Sequence, residues 1–432
     1  MTVEVAILNR ETAVLAADSA VTIFGGNKVK VLNSVTKIFS LTEGTPVAVM
    51  YFGNGGLMGI SWEIIIKLYK KDRGSNKYGT IKEYADNFLE YINTFDVYMK
   101  KDYEEKFLAS TISNYLTQLR DIYLKEGIQS LLNEKSVIDQ SDVKKCVTEL
   151  INNLYKEWDR CDCRYKNKQE LINRIRTEYE KVIVSEIKEV FENLPLTEKS
   201  RSLLIDICSS IFVVSNNNYV NEHSTGIVIC GFGEKEIYPS YSLLEIDSFV
   251  CNILNSRLKE NFTIKNENQN SGIVAFAQPH TVNTFLKGIS SGYGSLFRLG
   301  LTSITENIID NILKDSSISV SKEDSEKIKN RILGNLFNNM NGGFGKMREI
   351  FEMIDPGYSM VLLKEYLAYM PKNDMAEMAE SLVQLTCLRK KITIEEETVG
   401  GPIDVAVITK GDGLVWFRRK PFLRTDHYLN KK

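Results

Sequence analysis

Short apolar strands lie near both ends of this chain, and long helical stretches separate them. Residues 2–8 alternate apolar side chains on one face, and residues 13–17 form a short apolar run that ends at Asp18. Residues 403–409 and 414–418 show the same strand character near the other end. Continuous apolar strands are usually covered on both faces. This arrangement predicts one sheet-containing core that helical segments interrupt.

The periodicity of the whole chain extends this prediction to an α+β protein with two stacked sheets. The predicted strands cover residues 2–8, 13–17, 36–41, 47–52, 226–232, 238–246, 272–277, 403–409 and 414–418. Apolar residues at helical spacing fill much of the remaining sequence, and Thr80 and Glu83 have the spacing of a helix-capping pair. We expect a core of residues 1–75, 206–282 and 376–420, helical insertions at 76–205 and 283–375, and a basic tail at 421–432.

Composition excludes several classes of protein. The 432 residues carry a formal net charge of −2, whereas nucleic-acid and anionic-membrane binders usually show a basic excess. The polar residues Glu4, Asn9 and Arg10 interrupt the apolar run that a signal peptide needs, which predicts a cytoplasmic protein. The scattered histidines and cysteines form no metal-ligand pattern. Lys420 belongs to a basic C-terminal region that we expect to be solvated.

Thr2 is the first candidate for chemistry. Removal of Met1 would give Thr2 a free α-amine beside its hydroxyl. An amine with a pKa of about 7.7–8.0 can take the hydroxyl proton at neutral pH, so one residue would carry both nucleophile and base. The same start also suits a protein that makes no use of this threonine.

Three further positions could complete such a site. A hairpin would return Asp18 to the start of the first strand, and Lys37 lies on a later strand where a buried lysine would need a carboxylate partner. The turn at Gly53 to Gly56 precedes a helix predicted over 57–68, and main-chain N–H groups at such a turn suit an oxyanion. Taken singly, these residues also fit a turn aspartate, a solvated lysine and a glycine turn.

Together these motifs resemble the proteasome β-subunit family and its bacterial relative, the heat-shock-locus peptidase. The family pattern is an N-terminal threonine, Ala-Asp-Ser/Gly after the second strand, a lysine in a V-x-K-I/V strand, and a glycine turn before the first helix. The chain is also similar to the family at residues 226–246 and around Gly400-Gly401. The resemblance implies an N-terminal nucleophile hydrolase with a four-layer αββα sandwich and no cofactor.

The resemblance also implies a role for each matching residue. Thr2 would be the nucleophile, Lys37 would lower its pKa, and Asp18 would orient Lys37. The Gly53 N–H would form the oxyanion hole, and Glu396 falls where the family has an aspartate that supports the threonine. Thr22 would bind the backbone of an extended substrate. The residues that would line the first specificity pocket are Val21, Val35, Tyr51 and Gly55.

The predicted function is therefore threonine-type hydrolysis of peptide bonds in peptides or unfolded protein, through an acyl-enzyme on Thr2. Two alternatives remain open: an amidase for small acylated molecules, and a catalytically silent scaffold with the same fold. Two family serines are absent, because Val399 and the Ala277-Gln278 region stand in their places. The resemblance further implies a homo-oligomer, which could be a ring, and an ATP-dependent unfoldase as partner. The balanced charge predicts no nucleic-acid or membrane partner, and the absence of a metal-ligand pattern predicts no metal.

Overall fold

The computed structural model describes most of the chain. The described residues are 2–25, 28–94, 101–135, 138–161, 167–214, 224–265, 270–288, 291–313, 325, 327–335, 353, 360–393 and 399–420. The protein divides into two compact units. The first comprises Met1–Val35, Thr263–Thr409 and Val415–Lys432, and the second comprises Thr36–Phe262 and Lys410–Leu414.

A five-stranded sheet forms the centre of the first unit. Its strands are β1 (Glu4–Leu8), β2 (Thr12–Ala17), β12 (Gly272–Ala277), β13 (Asp404–Thr409) and β14 (Gly413–Arg418), in the order β12-β1-β2-β13-β14. Strand β1 is antiparallel to both β2 and β12, and β13 is antiparallel to β2. A separate antiparallel ribbon consists of β3 (Val21–Gly25) and β4 (Lys28–Leu32).

Helices cover one face of this sheet. The helix Lys372–Ile392 packs across β1, β2 and β13, and α8 (Pro279–Lys287) packs beside it and against β12. The apolar residues of the helix Lys372–Ile392, including Met375, Ala379 and Val383, form one core with the valines of β1 and β13. The unit also contains α9 (Ser291–Leu313), the helix Met360–Leu367 and helical residues at 327–335.

The second unit contains another five-stranded sheet. Its strands are β5 (Ile38–Ser40), β6 (Val47–Gly53), β9 (Thr225–Gly231), β10 (Ser240–Val250) and β11 (Ile253–Thr263), in the order β11-β10-β9-β6-β5. Helix α2 (Ile81–Asn93) packs on β9 and β10. Helix α1 (Trp62–Arg73) contacts β9 through a hydrogen bond of 3.0 Å from the Trp62 indole to Thr225 Oγ1.

A helical cluster extends the second unit. It consists of α3 (Lys101–Gln118), a π-helical turn (Leu119–Leu124), α4 (Lys125–Glu134), α5 (Gln140–Arg160), α6 (Lys168–Val190) and α7 (Glu198–Ser210). Buried apolar residues from these helices, such as Ile112, Ile151, Ile183 and Ile207, form a core of their own. Amphipathic helices gain most of their stability from such packing, which explains why their apolar spacing is visible in the sequence.

The α+β class with antiparallel sheets is confirmed. The capping pair is also confirmed, because Thr80 Oγ1 accepts a hydrogen bond of 3.2 Å from the Glu83 N–H. The helix predicted from residue 57 is wrong at its start. A small hairpin, β7 (Gly56–Leu57) and β8 (Ile60–Ser61), comes first, and the helix begins at Trp62. The positive φ angles of Met58 and Gly59 form the turn of this hairpin, and a helix cannot continue through them.

Strand β11 was not predicted. It lies at the edge of its sheet, and Arg257, Lys259 and Glu260 along it leave no apolar alternation to recognise. The expectation of a solvated Lys420 is wrong, because only 6% of its side chain is exposed. Among the described residues, no helix has both the length and the apolar character needed to cross a bilayer.

Candidate active site

The β1–β2 hairpin places Asp18 beside the start of the chain. Glu4 pairs with Ala17 in the antiparallel register, so Asp18 comes opposite Val3. Asp18 N–H donates to the Val3 carbonyl at 3.2 Å, and Val3 N–H donates to Asp18 Oδ1 at 3.1 Å. Thr2 is buried, with 4% of its surface exposed. The hairpin return predicted from the spacing is therefore present, and it fixes the residue that follows Thr2.

The second oxygen of Asp18 binds a distant part of the chain. Asp18 Oδ2 accepts a hydrogen bond of 2.9 Å from the Gly400 N–H, while only 1% of Asp18 is exposed. Hydrogen bonds to an ionised carboxylate are stronger than neutral ones, and burial strengthens them further. Asp18 thus joins the beginning of β1 to the loop before β13. The sequence indicated the double glycine there but not this contact.

The conformation of that loop requires glycine. Gly400 and Gly401 have φ angles of 149° and 78°, and a Cβ on Gly401 would lie 2.9 Å from the Asn33 carbonyl oxygen. The preceding Val399 packs into the apolar core under the helix Lys372–Ile392. This position therefore supplies packing and no hydroxyl.

Ser19 continues the network begun by Asp18. Its N–H donates to the Gly400 carbonyl at 3.2 Å, and its Oγ donates to the Pro402 carbonyl at 2.7 Å. Val35 N–H donates to the Ser19 carbonyl at 3.1 Å, which places this predicted pocket residue, half-buried, directly beside the Asp18-Ser19 segment. The Lys420 ammonium also binds here, at Ser19 Oγ and the Val35 carbonyl.

The other predicted substrate-binding residues of the first unit lie on the β3–β4 ribbon. Val21 is half-buried and pairs with Leu32, and Thr22 pairs with Val31. The register places both at the end of the ribbon that follows Asp18 and Ser19 in sequence. Glu396 lies outside the described residues.

Lys37 and Tyr51 form the next pair, in the second unit. Lys37 comes just before β5, and only 1% of it is exposed. Its carbonyl accepts a hydrogen bond of 3.2 Å from the N–H of Tyr51 on β6, and Tyr51 is 3% exposed. Lysine side chains are almost never fully buried unless they are paired, so the alternative of a solvated lysine does not apply to Lys37.

Gly53 and Gly55 lie at the end of β6. Gly53 is exposed, has a φ of 85° and approaches the Ser224 carbonyl so closely that a Cβ would lie 2.5 Å from that oxygen. Gly55 is half-buried, and its carbonyl accepts a hydrogen bond of 3.1 Å from the Trp62 N–H at the start of α1. Only glycine fits at Gly53, because its φ is positive and a side chain would collide with the Ser224 carbonyl.

The predicted residues thus fall into two groups. Thr2, Asp18, Val21, Thr22 and Val35 belong to the first unit, and hydrogen bonds of the main chain and of Asp18 link the segments that carry them. A second group, in the second unit, contains Lys37, Tyr51, Gly53 and Gly55. Sequence reasoning found the double glycine at Gly400-Gly401 but missed its contact with Asp18, and it gave no signal for the roles of Asp404 and Lys420.

Within the described part of the chain, no three or more His, Cys, Asp or Glu residues are grouped so that they could hold a metal ion. Comparison with protein-family models gave no match, and a search of curated proteins found no similar protein.

Proposed function

We propose that this protein is an N-terminal threonine hydrolase that cleaves peptide bonds through an ester on Thr2. The observation that carries the proposal is the buried Asp18 carboxylate, whose Oδ1 binds the N–H of Val3 at 3.1 Å, immediately after Thr2. A buried carboxylate at the very start of a first strand would hold a reactive terminus in place. The roles of Lys37 and Gly53 in this proposal come from the resemblance of the N-terminal 60 residues to proteasome β-subunits.

The proposed chemistry needs only Thr2 and its surroundings. With Met1 removed, the α-amine accepts the proton of Thr2 Oγ while Oγ attacks the carbonyl carbon of the substrate. The Gly53 N–H stabilises the oxyanion, and the ammonium returns a proton to the departing amine as the C–N bond breaks. Water then cleaves the ester and restores Thr2. In this proposal Lys37 lowers the pKa of the Thr2 hydroxyl, and Asp18 orients Lys37.

The proposed fold is the four-layer αββα sandwich of N-terminal nucleophile hydrolases. Two five-stranded antiparallel sheets support it, as does the helix layer on the β1–β2–β13 sheet. Ala6 and Leu15 alternate with the residues that face these helices, yet both are 0% exposed. Burial on both faces is typical of an inner layer.

Peptides or unfolded segments are the proposed substrates. The proposed assembly is a homo-oligomer that receives unfolded substrate from an ATP-dependent unfoldase. Sedimentation at micromolar concentration tests the assembly. A species of only 49.2 kDa would remove the ring and favour the amidase for small acylated molecules.

The decisive experiment measures turnover of acyl-peptide reporters together with the intact mass of every sample. Thr2→Ala should abolish turnover, Thr2→Ser should retain part of it, and Lys37→Ala should lower it by about 10²–10⁴-fold. Thr386→Ala is the matched control, since Thr386 is fully buried and its hydroxyl only bonds the Leu382 carbonyl within its own helix. Equal turnover by Thr2→Ala would refute the nucleophile. Full retention of Met1 without turnover would favour the silent scaffold.

A further inference from the structure

Lys420 is a buried lysine that joins three separate segments of the first unit. Its Nζ donates to Asp404 Oδ2 at 2.8 Å, to Ser19 Oγ at 2.7 Å and to the Val35 carbonyl at 2.7 Å. An ammonium has three N–H donors, so each of them has its own acceptor. The acceptors come from β13, from the end of β2 and from the segment before β5.

Asp404 binds Lys420 with both of its carboxylate oxygens. Its Oδ1 accepts from the Lys420 N–H at 2.8 Å and its Oδ2 from the ammonium, while 2% of the Asp404 side chain is exposed. Burying two charges costs several kcal/mol per ion, and apolar residues of similar volume often stabilise a fold at least as well. A contribution to stability is therefore a weak explanation for the Lys420–Asp404 pair. A better explanation is that the pair fixes the positions of the residues around it.

The neighbours of Lys420 carry the candidate site. Ser19 directly follows Asp18, and its N–H and Oγ bind the carbonyls of Gly400 and Pro402. The Val35 N–H binds the Ser19 carbonyl. The ammonium therefore holds Ser19 and Val35 in place beside Asp18. The Asp18 carboxylate in turn binds the N–H groups of Val3 and Gly400.

A serine–lysine nucleophile pair does not explain the contact between Lys420 and Ser19. The ammonium is paired with the Asp404 carboxylate and donates all three protons, so it has no lone pair to accept a proton from Ser19. Ser19 Oγ itself donates to the Pro402 carbonyl. The contact of the Lys420 ammonium with Ser19 therefore orients the main chain around Ser19.

We propose that Lys420 is a positioning residue, which with Asp404 sets the alignment of Asp18 relative to Thr2. The inference rests on the proposed function of Thr2. It predicts that loss of the ammonium lowers the rate of acylation at each active site, beyond any loss of folded protein.

The test compares Lys420→Met with the double variant Lys420→Met/Asp404→Leu. An irreversible peptide electrophile counts the reactive Thr2 sites by mass spectrometry, reporter turnover gives KM and kcat per counted site, and urea unfolding gives stability. For Lys420→Met we expect kcat per site to fall roughly 10- to 100-fold with KM within about twofold, and stability to fall as well. The double variant should regain stability, because no charge is left unpaired, but it should not regain kcat.

Arg418→Met is the matched control. Arg418 is the neighbouring cation that pairs with Glu380 at 2.7 Å, and it should keep wild-type kcat per site. Recovery of kcat together with stability in the double variant would overturn the positioning role, as would an unchanged kcat per site in Lys420→Met. If wild-type Thr2 forms no ester with the electrophile, the proposed function fails, and this inference fails with it.

Discussion

Asp18 Oδ2 accepts a hydrogen bond of 2.9 Å from the main-chain N–H of Gly400, a residue 382 positions further along the chain. The other oxygen of the same carboxylate holds the N–H of Val3. One buried side chain thus determines how the first strand and the loop before β13 meet.

Asp18→Asn should destabilise the protein by about 3 kcal/mol, because an amide offers only one acceptor oxygen where two main-chain N–H groups now bind a carboxylate. Urea unfolding measures the change. Asp139→Asn is the control, since Asp139 caps α5 at an exposed position where asparagine caps equally well. An equal, small effect of both substitutions would show that the Asp18 contacts contribute little.

Gly53→Ala should cost more than Gly44→Ala. Both residues have positive φ angles, 85° and 74°, so both variants carry the strain of about 1–2 kcal/mol that an L-residue meets there. Only at Gly53 would the new Cβ lie 2.5 Å from a carbonyl oxygen, while nothing lies within 4 Å at Gly44. We expect about 1–3 kcal/mol more destabilisation for Gly53→Ala in urea unfolding. Equal effects would contradict the close approach of Ser224.

Tyr115→Phe should destabilise the helical cluster of the second unit by about 1–3 kcal/mol, because it leaves a buried indole N–H without its acceptor. Trp158 Nε1 donates to the Tyr115 hydroxyl at 2.7 Å, and 2% of Trp158 is exposed. Tyr123→Phe, at a residue that is 48% exposed, should change stability by less than about 0.5 kcal/mol. Unfolding followed by tryptophan fluorescence measures the change in stability. Unchanged stability in Tyr115→Phe would argue against a contribution from this hydrogen bond.

Cys251 should resist alkylation in the folded protein. Burial raises the pKa of its thiol to about 12, so at pH 8 about one thiol in 10,000 is the reactive thiolate. Burial also raises the pKa of the Cys208 thiol. Iodoacetamide labelling, quantified by peptide mass spectrometry, should modify the half-buried Cys146 and Cys161 before Cys251. Rapid labelling of Cys251 without denaturant would mean that the β10–β11 turn opens readily.

Strand positions could be predicted well because apolar alternation and burial are local properties of the sequence. Strands β1, β2, β6 and β9 lie where the pattern placed them, and every residue of β1, β2 and β9 is buried. The hairpin before α1 escaped prediction because its turn depends on two positive φ angles, one of them at Met58. Methionine gives no sequence signal for that conformation.

The candidate site was predictable where neighbours in sequence are neighbours in space. The return of β2 beside β1 follows from a short hairpin, which places Asp18 beside Val3. The partners Gly400 and Lys420 could not be found in this way, because their contacts depend on pairing across most of the chain. Lys420 looks like any other cation of a basic C-terminal region, and only tertiary structure distinguishes it.

The order of strands in the first sheet has a consequence for biosynthesis. Ala17 on β2 pairs with Asp404 on β13. The ribosome therefore synthesises the partner strand about 390 residues after β2, which takes roughly 20–80 s at ordinary rates of translation. Thr2 is buried in the finished protein. The proposed removal of Met1 would therefore have to precede the closure of this sheet, while the chain is still being translated.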